Sequence, residues 1–512
     1  MYDLILKNAN VITMDSDLSK AQWLAVADGK IREIGRGECP LAAARVIDLD
    51  GKTVLPGLFD SHMHMLNTGS SLYGISAGGV GSIQELLERV EAEALKQPRD
   101  RWIFVLDYLA QSTKENRFPT CWELDTVSHG HPVLVSSPTA HANALNSAAL
   151  KIVDISGDLP GVVKENGRLT GQFLSDESAM LARTRIFNSL PPETLAGFFR
   201  LAAKYAVEHG VTTIQTLEPS ISIEPNTIPT LLDISPELPV NIVLWNQTFD
   251  VGEAIRLGLP RVGGCLCLDG ASFEHTAAMY TGYVDAPHLR GVLYYNDATV
   301  YKFVSEAHQK GLPCTMHAVG ERAIDQLLWT YKRVFAEQGR KNIRHRLEHM
   351  CFPTEEQIQM ATDMEIIISM QPGFSYLWDV KGASAFRYVV GDEVDRMDPY
   401  HKIIATGGIV CGGSDSPVTP IDSLTYIAHC VRGSNPVRNI SLTEALKMFT
   451  INGAYSCNQE ACRGSIEHGK LADFTVIDRD PYEYENCDEL FKMRVEMTIV
   501  NGRIVYDKSQ SH

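Results

Sequence analysis

The feature that most limits the possible folds of this chain is a regular alternation of apolar runs with helical patterns through its middle. Each run is as long and as apolar as a buried strand. The runs are VLPGLFDSHMH (54–64), VTTIQTL (211–217), VNIVLW (240–245), GCLCLDG (264–270), LPCTMHAVG (312–320), IRHRLEHM (343–350), EIIISMQP (365–372) and GIVCGGSD (408–415). Helical patterns lie between the runs, such as one with Pro191 near its start and another that ends at Gly339, positions where proline and glycine are favoured. Strands that alternate with helices form parallel sheets, and eight of them predict an α/β fold, a closed (β/α)₈ TIM barrel.

The two ends of the chain predict a separate β-domain. Apolar and polar residues alternate around Asp28-Gly29 near the start and Asn501-Gly502 near the end, and Asp50-Gly51 is a third turn of this kind. Such pairs favour type I′ turns, because both central residues of that turn need positive φ. Short strands at both termini therefore predict one small β-domain assembled from the two ends, with the barrel inserted between them.

One connection is too long for a barrel of the simplest kind. About 145 residues separate the first run from the second, whereas a βα loop usually needs fewer than ten. We expect an insertion after the first barrel strand, with its own elements and placed over the barrel mouth. The predicted layout is residues 1–54 and 456–512 for the terminal β-domain, 55–69 for the first barrel strand, 70–190 for the insertion and 191–455 for the rest of the barrel.

Composition excludes several classes of partner. The chain has 46 Lys and Arg against 63 Asp and Glu, for a formal net charge of −17, and no basic run, which argues against binding to nucleic acid or an anionic membrane. The N-terminus does not have the pattern of a signal peptide, and no apolar stretch approaches the roughly 18 residues of a membrane span. The 11 cysteines lack the spacing of a disulfide scaffold. We therefore predict a soluble, cytoplasmic protein.

Metal-binding residue types occur at the carboxyl ends of the predicted strands. The first run ends in His62-Met63-His64, and side chains two apart on an extended chain point the same way, so both imidazoles can reach one ion. The fifth run contains His317, the sixth His349, and the eighth ends at Asp415. Residues from the tips of different strands form the active site of a barrel, so this order predicts a metal centre.

At this point the chain resembles the amidohydrolase superfamily, most closely its branch of YtcJ-like proteins and N-substituted formamide deformylases. The resemblance runs nearly end to end and rests on the order and spacing of several motifs. They are LPGLFDSHMH (55–64), HPVLVSSPTAHANALNSAAL (131–150), GRLTGQFL (167–174), LDGASFEHTAAM (268–279), HAVGERAIDQLL (317–328), RHRLEHM (344–350), GGSDSPV (412–418) and GSIEHGKLADFTVID (464–478). The resemblance implies a distorted (β/α)₈ barrel, a β-sandwich built from both termini, and a homodimer.

The resemblance also implies the ligand set. His62, His64 and Asp415 would hold one metal ion, and His317 and His349 a second. Imidazoles with a carboxylate suit Zn²⁺ or a similar divalent ion, which lowers the pKa of a bound water and polarises a carbonyl. Asp415 would accept the proton of that water and pass it to the leaving nitrogen. A turn or capping role is the alternative for Asp415.

One departure from the family pattern concerns the residue that bridges the two ions. The family has a carbamylated lysine four residues before the Asp-Gly of the fourth strand, and this chain has Cys265 there, with no lysine nearby. Three interpretations remain open: a thiolate bridge by Cys265, as in the related D-aminoacylases; a single metal at the first three ligands; or loss of the metal. Cys267 is an alternative donor on the same strand face, although a small buried hydrophobic role is the more common one for such a cysteine.

Three further residues are weaker candidates for contact with substrate. His141, in TAHANALNS, matches a family histidine that approaches the site from the insertion, and it is predicted to bind substrate or to assist catalysis beside Asp415 and His349. Gln371 ends the seventh run, and Arg432, after the eighth, suits a substrate carboxylate. Structural roles are alternatives for all three.

The predicted function is that of a metal-dependent hydrolase that cleaves a C–N bond of a small molecule: an amide, a formamide or a cyclic amide. Decarboxylation or deamination on the same scaffold is an alternative. A degenerate barrel that binds a small molecule without turnover is another, and the missing lysine is its only support.

Overall fold

A computed structural model describes residues 1–98, 101–137, 142–155, 158–380 and 383–510. His141 lies outside the described residues, so its two predicted roles stay predictions.

In chain order the strands of the described residues are β1 (Tyr2–Lys7), β2 (Asn10–Ile12), β3 (Lys20–Ala21), β4 (Trp23–Ala27), β5 (Lys30–Gly35), β6 (Ala43–Asp48), β7 (Thr53–Pro56), β8 (Leu58–Met63), β9 (Ile75–Ser76), β10 (Ile103–Leu106), β11 (Val133–Ser136), β12 (Asn143–Leu145), β13 (Val162–Glu165), β14 (Arg168–Phe173), β15 (Val211–Pro219), β16 (Asn241–Gln247), β17 (Val262–Cys267), β18 (Cys314–Ala318), β19 (Arg346–His349), β20 (Ile367–Met370), β21 (Val410–Gly412), β22 (Phe474–Ile477), β23 (Val495–Val500) and β24 (Arg503–Asp507). The α-helices are α1 (Met65–Tyr73), α2 (Ile83–Ala94), α3 (Cys121–Asp125), α4 (Ser147–Val153), α5 (Asp176–Ser189), α6 (Pro192–Glu208), α7 (Thr227–Ile234), α8 (Val251–Arg256), α9 (Asp297–Lys310), α10 (Glu321–Gln338), α11 (Glu355–Asp363), α12 (Pro372–Trp378), α13 (Ala385–Val390), α14 (Tyr400–Ala405), α15 (Ser423–Arg432), α16 (Leu442–Met448) and α17 (Ile451–Ser456). None of the helices described combines the length and apolarity that crossing a membrane requires.

The chain divides into two compact units. The first contains Met1–His64, Ala203–Glu218 and Glu237–His512, and the second contains Met65–Ala202 and Pro219–Pro236. The predicted insertion, 70–190, falls within the second unit. Its predicted place over the barrel mouth stays a prediction.

All eight predicted barrel runs contain strands, and these strands lie in the first unit as two sheets. One sheet has the order β16-β15-β8, and the other has the order β17-β18-β19-β20-β21, with every adjacent pair of the second sheet parallel. The fold is therefore of the TIM-barrel type. The strand pairing is not continuous between β16 and β17 or between β21 and β8, so the closed ring expected from the sequence is only partly formed. Asp415 N nevertheless donates to His62 O at 2.7 Å, and His64 N donates to Ser416 O at 2.9 Å, which ties the ends of β8 and β21 together.

Burial explains why the barrel strands read as continuous apolar runs. Every residue of β8, β18, β19, β20 and β21 is buried, as expected for parallel strands covered on both faces. The helices between them begin and end at the predicted signals: α6 starts at Pro192, directly after Pro191, and α10 ends just before Gly339.

The two ends of the chain form two further sheets in the first unit. One has the order β5-β4-β1-β6, and the other has the order β24-β23-β22-β7-β2-β3, which joins strands from both termini. A single apolar core includes residues of both sheets, among them Leu24, Val54 and Phe474. The predicted turns have the required backbone, since Asp28 and Gly29 lie at φ 53° and 68°.

The second unit contains a mixed sheet of its own, with the order β13-β14-β12-β11-β10-β9. Its apolar core includes Leu86, Val90 and Val105, where α2 packs against β10. The prediction that this region has its own elements is consistent with this sheet, although nothing in the sequence indicated its strand order.

Candidate metal centre

The carboxyl ends of the barrel strands bring the predicted ligands together. His62 lies on β8 with His64 just beyond it, His349 is the last residue of β19, and Asp415 follows β21. The ring centroid of His62 lies 5.5 Å from that of His64 and 4.8 Å from that of His349. Residues far apart in sequence thus form one compact cluster.

The atoms of the first three ligands are spaced as a metal ion would space them. His62 Nε2 lies 3.3 Å from Asp415 Oδ1, and His64 Nε2 lies 3.2 Å from the same oxygen. An ion with bonds of about 2.0–2.1 Å in a tetrahedral arrangement keeps its nitrogen and oxygen ligands roughly 3.3 Å apart. The spacing therefore fits a small divalent ion among His62, His64 and Asp415.

Hydrogen bonds set which ring nitrogen of each histidine faces the cluster. His62 Nδ1 lies 2.7 Å from Glu348 Oε2, and His64 Nδ1 lies 3.0 Å from Leu217 O. Because a carboxylate and a carbonyl only accept, both Nδ1 atoms carry a proton, which leaves both Nε2 atoms facing Asp415. This is the arrangement in which a histidine binds a metal ion.

Among the described residues, several buried polar atoms of the cluster have no hydrogen-bond partner. They include His62 Nε2, Asp415 Oδ1 and His317 Nδ1. Burying a polar group without a partner is costly, and a shared ion would satisfy the first two at once. The donor set of imidazole nitrogen and carboxylate oxygen is one that Zn²⁺ prefers.

The electrostatics of the cluster keep Asp415 ionised. Burial acts to raise the pKa of the Asp415 carboxyl, but the positive charge of His62 outweighs it and lowers that pKa well below its ordinary value. Burial acts to lower the pKa of His62, but Asp415 and Glu348 raise it to about 9. Asp415 at Nε2 of His62 and Glu348 at Nδ1 thus both favour a positive charge at this side chain or on an ion bound to it.

Glu348 and Arg346 support His62 from behind, and sequence reasoning did not identify them. Arg346 donates to Glu348 from Nε at 2.5 Å and from Nη2 at 2.8 Å, and both side chains are fully buried. Arg346 also donates to Ser61 O at 2.7 Å. Opposite charges two residues apart in the apolar run IRHRLEHM were the signal available, because a strand places such residues on one face.

The backbone around the ligands is strained, and one glycine allows the close approach. His349 and Asp415 have φ of 75° and 57°, in the left-handed region that non-glycine residues rarely adopt. Gly413 lies against β8: a Cβ there would be 2.5 Å from His62 N. Strain of this kind is typical of functional sites.

The cysteines of β17 lie in the same cluster. A ligand atom of each of His62, His64 and Cys265 lies within 4.8 Å of the others, and the same holds for Cys265, Cys267 and His317. Cys265 Sγ lies 3.9 Å from His349 Nε2. Cys265 therefore belongs to two ligand groups, the position that a bridging residue would have.

The two described substrate candidates have partners within the chain. Gln371 is buried, and its Oε1 lies 2.7 Å from His349 Nδ1, so it orients that ring. Arg432 Nη2 lies 3.3 Å from Asp488 Oδ1 in an exposed ion pair. The structure thus brings Gln371 to the ligand cluster and shows Arg432 paired at the surface.

An aromatic wall lies beside the ligands. The ring of Phe374 stacks on His349 with centroids 5.9 Å apart, and Trp378 stacks on Phe374 at 5.7 Å. Phe273 contacts Trp378 edge to face at 5.7 Å. All three aromatic side chains are partly exposed, so this wall is apolar surface next to the ligands.

Comparison with known proteins identifies relatives of this chain. The profile of the amidohydrolase family matches residues 45–506. The chain is 27% identical to the putative amidohydrolase YtcJ of Bacillus subtilis, covering 98% of each chain. It is 26% identical to the N-substituted formamide deformylase of Arthrobacter pascens, covering 100% of this chain and 99% of that one. A metal-dependent hydrolase from Pyrococcus furiosus, itself uncharacterized, has the same fold, with a TM-score of 0.79, 24% identity and coverage of 93% and 99%.

Proposed function

This chain belongs to the amidohydrolase family, a family of hydrolases, and we propose that it cleaves a C–N bond of a small molecule with the help of one or two Zn²⁺ ions. The observation that carries the proposal is the convergence of His62 Nε2 and His64 Nε2 on one oxygen of Asp415, at 3.3 and 3.2 Å. Two imidazole nitrogens and a carboxylate oxygen at this spacing, in a buried cluster, are suited to binding a metal ion.

Each residue of the cluster would have a separate role in the hydrolysis. A Zn²⁺ ion held by His62, His64 and Asp415 would supply a Lewis acid and lower the pKa of water to about 7. Asp415, which is ionised in the fold, would take the proton from that water and deliver it to the leaving nitrogen. His349, whose Nδ1 lies 2.7 Å from Gln371 Oε1, would present its Nε2 to the second ion.

Cys265 supports the thiolate-bridge interpretation over the two others. It belongs both to the group with His62 and His64 and to the group with Cys267 and His317. A thiol in that position loses its proton when it binds a metal ion, so it would replace the bridging lysine of the family.

The substrate we propose is an amide or formamide of modest size that carries an apolar substituent. The aromatic wall of Phe374, Trp378 and Phe273 lies directly beside His349 and would accept such a group by stacking. The similarity to an N-substituted formamide deformylase supports the same class of bond.

We extend the proposal to the architecture. The two terminal sheets would form the β-sandwich of the family, since one apolar core joins them. The two parallel sheets would close into a barrel, since the ends of β8 and β21 already exchange backbone hydrogen bonds.

Activity assays on zinc-loaded protein would test the proposed function. A series of N-substituted formamides and cyclic amides is incubated with the enzyme, and the products are analysed for acid, amine, ammonia and carbon dioxide. Asp415→Asn should lower the rate by about 10²–10⁴-fold, because it removes the proton acceptor. The matched control is Asp233→Asn, an exposed aspartate on α7. Equal rates for the two variants would overturn the proposal, and release of ammonia or carbon dioxide alone would change the reaction class.

A further inference from the structure

A shift in strand register places two cysteines next to His317. Val262 and Gly263 of β17 pair with Cys314 and Thr315 of β18, but Cys267 then pairs with His317. From Gly263 to Cys267 the chain advances four residues along β17, while from Thr315 to His317 it advances two along β18. Two extra residues of β17 therefore bulge from the strand. Glycine permits this course: Gly263 has a φ of 96°, and a Cβ there would lie 2.1 Å from Thr315 O.

The bulge has a direct consequence for the ligand geometry. Without it, a regular parallel register would place Cys265 opposite His317, with Cys267 two residues further along the strand. With it, Cys267 stands opposite His317 while Cys265 stays within reach of His62 and His64. Both sulfurs and a nitrogen of His317 lie within 4.8 Å of one another.

We propose that Cys265, Cys267 and His317 form a thiolate-rich second metal site that takes a soft or borderline divalent ion, Zn²⁺ or Cd²⁺. The inference rests on the proposed function, in which a first ion is held by His62, His64 and Asp415, and it describes the site of the second ion. It adds Cys267 to the ligands of the second ion.

The surroundings of Cys267 favour a ligand over a packing role. Cysteines that pack as small apolar residues in this chain are buried, whereas Cys265 and Cys267 are partly exposed. The buried ones are Cys121, Cys314, Cys351, Cys411, Cys430 and Cys457. His317 is 8% exposed, and its Nδ1 lies 3.4 Å from Oδ1 of the buried Asp269. A carboxylate at Nδ1 holds the proton there and leaves Nε2 as the donor for a metal ion, beside two partly exposed thiols.

The distances allow such an ion. A tetrahedral ion holds sulfur at about 2.3 Å and nitrogen at about 2.0 Å, which keeps neighbouring ligand atoms roughly 3.6–3.8 Å apart. Atoms already within 4.8 Å of one another need to approach by about 1 Å at most. Side-chain rotation at two cysteines is enough for that.

The donor atoms of Cys265, Cys267 and His317 determine which ion the site prefers and the net charge of the occupied site. Two thiols and a neutral imidazole bind one divalent ion with release of two protons to solvent, and the resulting group has no net charge. Thiolate ligands select Zn²⁺ or Cd²⁺ over Mg²⁺ and Mn²⁺.

Titration of the reduced, metal-free, full-length protein with Cd²⁺ would test the second site. Thiolate-to-metal charge-transfer absorption in the ultraviolet reports each Cd–S bond. We expect Cys267→Ser and Cys265→Ser each to remove about half of the absorption, because two sulfurs contribute. Cys462→Ser, a partly exposed cysteine whose thiol donates to Gln459 O, is the control and should leave it unchanged. Absorption that is lost only with Cys265, or that is absent in the wild type, would overturn the proposal.

A measurement on the wild-type protein guards against variants that fail to fold. Iodoacetamide labelling followed by peptide mass spectrometry gives the alkylation rate of Cys267 with and without Cd²⁺. Protection by Cd²⁺ supports the site, and an unchanged rate overturns it. Asp415→Asn separates the two proposals: it should lower the rate of hydrolysis by about 10²–10⁴-fold and keep the charge-transfer absorption, so either proposal can fail alone.

Discussion

Replacement of Glu348 by glutamine tests the buried network behind His62. The carboxylate accepts a hydrogen bond from His62 at 2.7 Å and two from Arg346 at 2.5 and 2.8 Å. Glutamine keeps the shape and removes the charge. Arg346 would then stay buried with neutral acceptors only: the amide oxygen of the new glutamine, Gln215 Oε1 at 2.8 Å and Ser61 O at 2.7 Å.

The size of the effect follows from that geometry. Loss of one partner of a buried ion pair costs about 3–5 kcal/mol. The neutral acceptors that remain around Arg346 place the cost near the lower end, about 3 kcal/mol, which is a roughly 100-fold change in a local opening equilibrium. Zinc affinity should fall by about 10–100-fold as well, because the carboxylate that orients a metal-binding histidine is lost.

Two assays separate these effects. Hydrogen exchange of metal-free protein, followed by mass spectrometry on peptides that cover β19, measures the local opening, and competition with a chelator measures zinc affinity. Glu460→Gln is the matched control: Glu460 pairs with Arg344 through two contacts, of 2.6 and 2.9 Å, but its side chain is 32% exposed. That pair should contribute about 0–1 kcal/mol. Exchange and zinc affinity in Glu348→Gln that match those of the control would refute the reasoning.

Three further predictions concern other parts of the structure. Burial lowers the pKa of His345 to about 3 from an ordinary 6.5, so this side chain binds a proton more readily in the unfolded chain than in the folded protein. The free energy of unfolding should therefore fall by up to about 1.4 kcal/mol per pH unit as the pH drops from about 6.5 toward 3. Thermal unfolding at a series of pH values should show a shallower fall in His345→Gln, and equal slopes would contradict the assignment. Gly413→Ala should destabilise the protein by about 1–3 kcal/mol and weaken zinc binding, because the new Cβ would lie 2.5 Å from His62 N; calorimetry with wild-type behaviour would show that this contact relaxes freely. Gln371→Leu removes the acceptor for His349 Nδ1 and should lower kcat with little change in melting temperature, and an unchanged kcat would argue that Gln371 does not position that ring.

Sequence patterns were enough to locate the barrel strands and most of the candidate ligands. Apolar runs, glycine and proline signals and turn pairs act over a few residues, so they can be read without the fold: Pro191 and Gly339 do mark helix limits, and Asp28-Gly29 does adopt the predicted turn. His62, His64 and Asp415 were recognisable because their chemistry and their places at strand ends are both local properties.

The contacts that hold those candidate ligands depend on the tertiary structure. Glu348 meets His62 across 286 positions of sequence, and no local pattern states which strand will pack behind which ligand. Cys267 faces His317 because two residues bulge from β17, a register that depends on the neighbouring strand. The second unit's strand order arose in the same way, from packing between segments distant in sequence. The residue types of a candidate site can be recognised from the local sequence, whereas their contacts depend on packing between segments that are distant in sequence.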